Sequence, residues 1–174
     1  MKIRDIYSII NRFLLTLIVI SPGFSCRNGG SQLTTGEGSV VRDGVRQMAA
    51  NIANDISTKG PKAWLEYFED DPGFFMVSDG KLVFKDYASA KRIVLNTVAK
   101  KISKITLSWK NERIDPSTPA FASFGADFHE DIILSNGNKI SSDGYFTATF
   151  HLSGNNWKLR NMNWGIKAPE EAAR

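Results

Sequence analysis

The spacing of apolar residues changes once along this chain, and that change constrains the fold more than any other feature. Up to about Lys101 they recur every three or four positions: Val41, Val45, Met48, Ile52 and Ile56, then Ala90, Ile93, Val94 and Val98. From Ser103 onward the period drops to two, beginning with Ile105, Leu107 and Trp109 between polar residues. The first period puts apolar side chains on one face of a helix, the second on one face of a strand. Helices grouped ahead of long strands predict an α+β domain.

Punctuation residues divide the pattern into elements. Ser39 serves as N-cap of a first helix that stops at Gly60-Pro61. A short second helix begins on Pro61, carries Trp64, Tyr67 and Phe68 on one face, and ends at Asp70-Asp71-Pro72-Gly73. Phe74–Ser78, Asp79-Gly80 and Lys81–Phe84 form a hairpin with a type I′ turn signal. Asp86 caps a third helix reaching about Lys101, with lysines in its last turn. Pro116 and Pro119 mark a bend, and strands follow over about 120–134, 139–153 and 157–167. The expected order is three helices and a hairpin followed by long antiparallel strands.

Strand parity then assigns faces. Ala122, Phe124, Ala126, Phe128, Glu130 and Ile132 share one side of their strand, as do Phe146, Ala148, Phe150 and Leu152. A three-residue loop, or a bulge near Ser142-Asp143-Gly144, pairs Phe128 with Phe146 and sets Glu130 opposite Gly144. The last hairpin, turning at Gly154-Asn155, pairs Phe150 with Leu159 and Leu152 with Trp157. Continuing by twos places Asn161 and Asn163 on the inner face. Because a one-residue slip flips every side chain, these registers decide the site.

The N-terminus reads as an address. Lys2, Arg4 and Arg12 precede the apolar run Phe13–Ile20, which breaks at Ser21-Pro22-Gly23. This is the layout of a secretory signal over residues 1–25. Those three cations against Asp5 supply two of the net +4 charges, so the remainder carries only +2. Lys100-Lys101-Lys104 reads as a solvated helix end, and no nucleic-acid partner is indicated. The sole cysteine, Cys26, lies where the signal would be cut. The segment resembles the lipobox of bacterial lipoproteins, which implies lipid attachment at Cys26 and a membrane-anchored position in a bacterial cell envelope. Residues 26–39, rich in glycine, read as a flexible tether, residues 40–167 as the domain and 168–174 as a disordered tail.

The element order over about residues 40–167 resembles the nuclear-transport-factor-like superfamily, whose members include SnoaL-like polyketide cyclases and ketosteroid isomerases. Trp64-Leu-Glu-Tyr-Phe68 before an acidic turn and hairpin carries part of the resemblance. Gly144-Tyr-Phe-Thr-Ala-Thr-Phe and Asn156-Trp-Lys-Leu-Arg160 carry the rest. It implies a cone-shaped, curved antiparallel sheet packed on three N-terminal helices, a cystatin-like α+β barrel, with a pocket at the open end and often dimers, but no reaction, since such folds host enzymes and binders alike.

The expected ligand pocket comprises Trp64, Tyr67, Phe68, Trp109, Phe128, Glu130, Phe146, Asn161 and Asn163. Glu130 and Tyr67 are the catalytic candidates, because ketosteroid isomerases use an acid/base carboxylate with a tyrosine donor. The other reading leaves Glu130 at an exposed rim. His129, Tyr145, Thr147 and Trp164 fall on the outer face, with Tyr145 opposite His129, as a candidate homodimer face. His129 between Asp127 and Asp131 lacks a second ligand cluster, so no metal is expected. There is no Gly-x-Ser-x-Gly motif and no phosphate loop after a strand, and no cofactor is expected. Two functions follow: a non-catalytic domain binding a small apolar ligand or a protein, or an isomerase, cyclase or hydratase.

Overall fold

A computed structural model describes residues 33–168. The expected signal, Cys26, the tether up to residue 32 and the tail from residue 169 lie outside the described residues. Helix α1 spans Thr35–Lys59, and Thr34 caps it in a reciprocal capping box with Glu37. The helix thus starts upstream of the expected Ser39, and residues 35–39 of the expected tether are helical. Thr34 followed by Glu37 is the capping-box spacing, the stronger signal. Val41, Val45, Met48, Ile52 and Ile56 form its buried stripe.

A short 3₁₀ turn, Pro61–Ala63, leads into α2 (Trp64–Tyr67). Strands β1 (Phe75–Ser78) and β2 (Lys81–Phe84) make the expected hairpin, with Asp79 at φ 47° and Gly80 at φ 75°. Positive φ at both central residues is what a type I′ turn requires. Helix α3 (Tyr87–Ile93) is capped by Asp86 through Ser89 and runs into a π-helical turn, Val94–Val98. Strands β3 (Ile102–Thr118), β4 (Phe121–Leu134), β5 (Lys139–Ser153) and β6 (Asn156–Ile166) complete the chain.

The six strands form one curved, unclosed sheet in the order β2-β1-β6-β5-β4-β3. It is mixed rather than wholly antiparallel, because β1 runs parallel to β6. Pro116 sits in β3, an edge strand, where proline is tolerated, and the pairing with β4 is irregular just after it. The buried stripe of α1 packs on the inner face of the sheet. Leu107 N–H donates to the Ser57 hydroxyl at 3.0 Å, and the Trp109 indole N–H to Ala49 O at 2.9 Å.

Two registers carry the main lessons. Between β4 and β5 the faces are as expected, but the pairing is displaced by two residues. Phe128 stands opposite Gly144, Ala126 opposite Phe146, and Glu130 opposite Ser142. Three residues, 135–137, lie between Leu134 and Asn138, whose N–H and O close the loop, with Gly137 at φ 88°. A shift of two preserves which side each residue faces, so parity could not detect it. Gly144 is obligatory here, since a Cβ would collide with Gly165 O and the Phe128 ring.

Between β5 and β6, Phe150 pairs with Leu159 and Leu152 with Trp157, as expected. Beyond them Thr149 pairs with Asn161, so Arg160 is an extra, bulged residue. A bulge inserts one residue and reverses parity. Met162 and Trp164 therefore turn inward, to 3% and 8% exposure, and Asn161 and Asn163 turn outward.

Candidate functional site

The inner face holds an apolar cavity of about 270 Å³ between the sheet, the β1–β2 hairpin and the third helix. Trp64 and Phe68 come from α2 and its C-cap, Met76 and Ser78 from β1, and Val83 and Phe84 from β2. Val94 and Val98 enter from the π-helical turn, where Ala99 N–H donates to Val94 O, five residues back. Such turns recur at functional positions because they re-aim side chains without ending the helix. Ile102 and Ile105 on β3, Glu130 and Ile132 on β4, and Met162 and Trp164 on β6 close the space. Trp64 stacks on Phe68 at 5.8 Å and meets Trp164 edge-on at 5.9 Å.

Glu130 is the one ionisable group on this lining, at 8% exposure. The rim reading is therefore wrong: the carboxyl is buried. Its hydrogen bond is from the Ser142 hydroxyl to Oε1, at 2.9 Å. Burial pushes its pKa above the ordinary 4.5, and hydrogen bonding by Ser142 and Trp164 pulls the other way. A carboxyl held this way can accept or release a proton nearer neutrality than an exposed one.

Of the residues expected in the pocket, the structure brings together Trp64, Phe68 and Glu130. Tyr67 does not line the cavity; its hydroxyl donates to Asp55 Oδ2 at 2.7 Å. Burial, and then that bond, raise the tyrosine's pKa far above its usual value. The Glu130–Tyr67 pairing is thus not assembled. Trp109, Phe128 and Phe146 are core packing instead: Trp109 lies 5.2 Å from Phe146, and Phe128 lies 4.1 Å from Trp164. Asn161 and Asn163 are on the opposite face, through the Arg160 bulge. The same bulge removes Trp164 from the outer face, where His129, Tyr145 and Thr147 remain.

Some lining residues missing from the expected pocket were visible as inward-facing positions: Val94, Val98, Ile105 and Ile132. Met162 and Trp164 were not, because nothing in the local sequence announces an extra residue at Arg160. The β1–β6 parallel pairing, which brings in Met76 and Ser78, had no sequence signal either.

Two further polar clusters flank the cavity. Glu69, at 7% exposure, meets His151 Nδ1 at 2.5 Å and Arg160 Nη1 at 2.9 Å, and Arg160 Nη2 reaches Asp71 at 3.3 Å. The bulge thus directs Arg160 onto a buried carboxylate, and the Glu69 main chain donates to Leu159 O at 2.9 Å. On the outer face His129 stands opposite Asp143, not Tyr145. Its Nδ1 lies 3.0 Å from Asp143 and its Nε2 3.4 Å from Asp131, and the Asp143 bond raises its pKa above 6.5. Among the described residues no group of three or more His, Cys, Asp or Glu is placed to hold a metal. No described helix is long and apolar enough to cross a membrane.

No family model matches the chain, and no curated protein matches it by sequence. Solved structures do. A nuclear transport factor 2 (NTF2-like) superfamily protein from Salmonella enterica superposes with a TM-score of 0.65 at 15% identity, covering 78% of this chain and 97% of that one. A protein assigned as a scytalone dehydratase from Novosphingobium aromaticivorans gives 0.68 at 11% identity, covering 81% and 94%. The hexachlorocyclohexane dehydrochlorinase LinA-type3 from Novosphingobium barchaimii gives 0.63 at 14%, covering 81% and 97%. At such identities the likeness establishes architecture, not chemistry: the domain has the NTF2-like fold.

Proposed function

We propose that this domain binds a small apolar ligand in the cavity beside Glu130, without catalysing a reaction, and that lipid on Cys26 holds it at a bacterial membrane. The observation that carries the ligand reading is an apolar inner cavity with one buried carboxyl on its lining. Small-molecule sites are commonly built this way, with apolar walls for affinity and few polar groups for orientation. The membrane reading rests on the basic, apolar and cysteine sequence of residues 2–26. The outer sheet face, with His129, Tyr145, Thr147 and the exposed Phe75, supports a homodimer contact. A monomeric mass in light scattering at micromolar concentration would count against that contact.

A second reading, an isomerase, cyclase or hydratase, is favoured by the burial that raises the Glu130 pKa. Its weakness is the missing partner: Tyr67 is engaged with Asp55.

The test uses N-phenyl-1-naphthylamine, a neutral dye that brightens in apolar sites. Saturable, one-to-one brightening by the wild type, abolished in a folded Val98→Trp variant that fills the cavity, is the expected result. Brightening that never saturates, or that Val98→Trp leaves intact, sinks the ligand reading. Labelling by radioactive palmitate, lost in Cys26→Ala, is the expected result for the membrane reading, and no labelling of the wild type contradicts it.

A further inference from the structure

The geometry points to an amphiphile with a proton-donating, cationic head as the ligand of this cavity: an apolar body bearing a protonated amine. This rests on the ligand-binding reading above and goes further by specifying the chemistry of the head group.

The first observation is continuity. Glu130 and Ile132 line the apolar cavity and also a larger open groove of about 980 Å³. That groove follows β4 and β5 where they extend beyond the end of β6 at Ile166. A molecule with its apolar part among Trp64, Phe84 and Trp164 therefore meets polar, water-accessible surface at Glu130.

The second observation is what the polar groups at that junction have left to offer. The Ser142 hydroxyl spends its only hydrogen on Glu130 Oε1, so it presents lone pairs. The Ser78 hydroxyl, elsewhere on the cavity lining, likewise directs its hydrogen to Asp79, at 3.3 Å. Ionised Glu130 is acceptor-only. A head group that can only accept, such as a carboxylate, finds no side-chain donor from this pair and a like charge beside it. An ammonium supplies three donors and a compensating charge.

The third observation is the sign of the groove. Asp127 and Asp143 line it with Glu130, and Lys167 is the cation among its lining residues. Lys167, and His129 through its pairing with Asp143, weaken this preference without reversing it.

The experiment displaces N-phenyl-1-naphthylamine from the full domain with decylamine, 1-decanol and decanoate, each below its micelle concentration. These share a chain and differ only in the head. Decylamine displacing the dye at least tenfold more tightly than decanoate, with decanol between, is the expected result. In Glu130→Gln the ratio of amine to alcohol affinity, read within that variant, should fall to about one. Equal displacement by all three, or an amine preference unchanged in Glu130→Gln, overturns the head-group inference while leaving the cavity reading intact. If the dye itself does not bind, the cavity reading fails and this inference falls with it.

Discussion

Two buried carboxylates, Glu69 and Glu130, lie on the same domain at nearly equal exposure, 7% and 8%. Their surroundings differ in kind. Glu69 meets an arginine and a histidine, with both oxygens engaged. Glu130 has hydrogen bonding from Ser142 and Trp164 in place of an ion pair, and otherwise mainly apolar neighbours. His151 pairs with Phe121 at one end of the β4–β5 ladder, and Glu130 with Ser142 nine residues further along β4. One carboxylate ties the segment after α2 to the β5–β6 hairpin; the other keeps free acceptor capacity facing a cavity. Burial alone therefore does not mark a functional acid. What distinguishes Glu130 from Glu69 is burial without an ion-pair partner.

The largest expected effect breaks the first half of this contrast. Glu69→Ala strands Arg160 and His151 and should lower stability by about 2 kcal/mol, less than for a fully enclosed pair because both partners keep some solvent contact. At this chain length that lowers Tm by about 4–8 °C in a thermal melt. A change under about 2 °C would show that the cluster ties nothing together. Tyr67→Phe should have a smaller effect, about 1 kcal/mol by denaturant unfolding, from losing its bond to Asp55. Dye binding should be unchanged, because Tyr67 lies outside the cavity; weaker binding would return Tyr67 to the site.

The smallest effect in stability sharpens the second half. Glu130 holds its proton more tightly folded than unfolded, since burial raises its pKa above 4.5. Such a group supports the fold below the unfolded value and loses that support as pH rises through the folded value. Wild type should therefore lose stability relative to Glu130→Gln as pH climbs from about 4.5 through that folded value. At low pH the two should melt alike. Parallel curves across the range would contradict the burial account.

Much of this architecture was legible from residue spacing. The change of period, the Asp79-Gly80 turn and the Asp86 cap placed helices, hairpin and strands, because each rests on local backbone chemistry. The site was less legible, and two residues explain why. Phe128 faces inward as its parity requires, yet its partner is Gly144, since a two-residue displacement leaves parity untouched. Arg160 is bulged, and the reason is 91 positions away at Glu69, so nothing local warns that Asn161 and Asn163 will turn out and Met162 and Trp164 in. The parallel contact of β1 with β6 is likewise a long-range choice. Local signals built the elements, and nonlocal partners chose which face became the pocket.

The most direct test of the central claim follows the Glu130 carboxyl carbon by NMR across pH, free and with decylamine. The account predicts a midpoint above that of an ordinary glutamate in the free protein. It also predicts a downward move when the amine is bound, because a cation beside the group favours its charged form. A midpoint at the ordinary value, unmoved by ligand, would mean that Glu130 faces water and that the cavity is not a binding site.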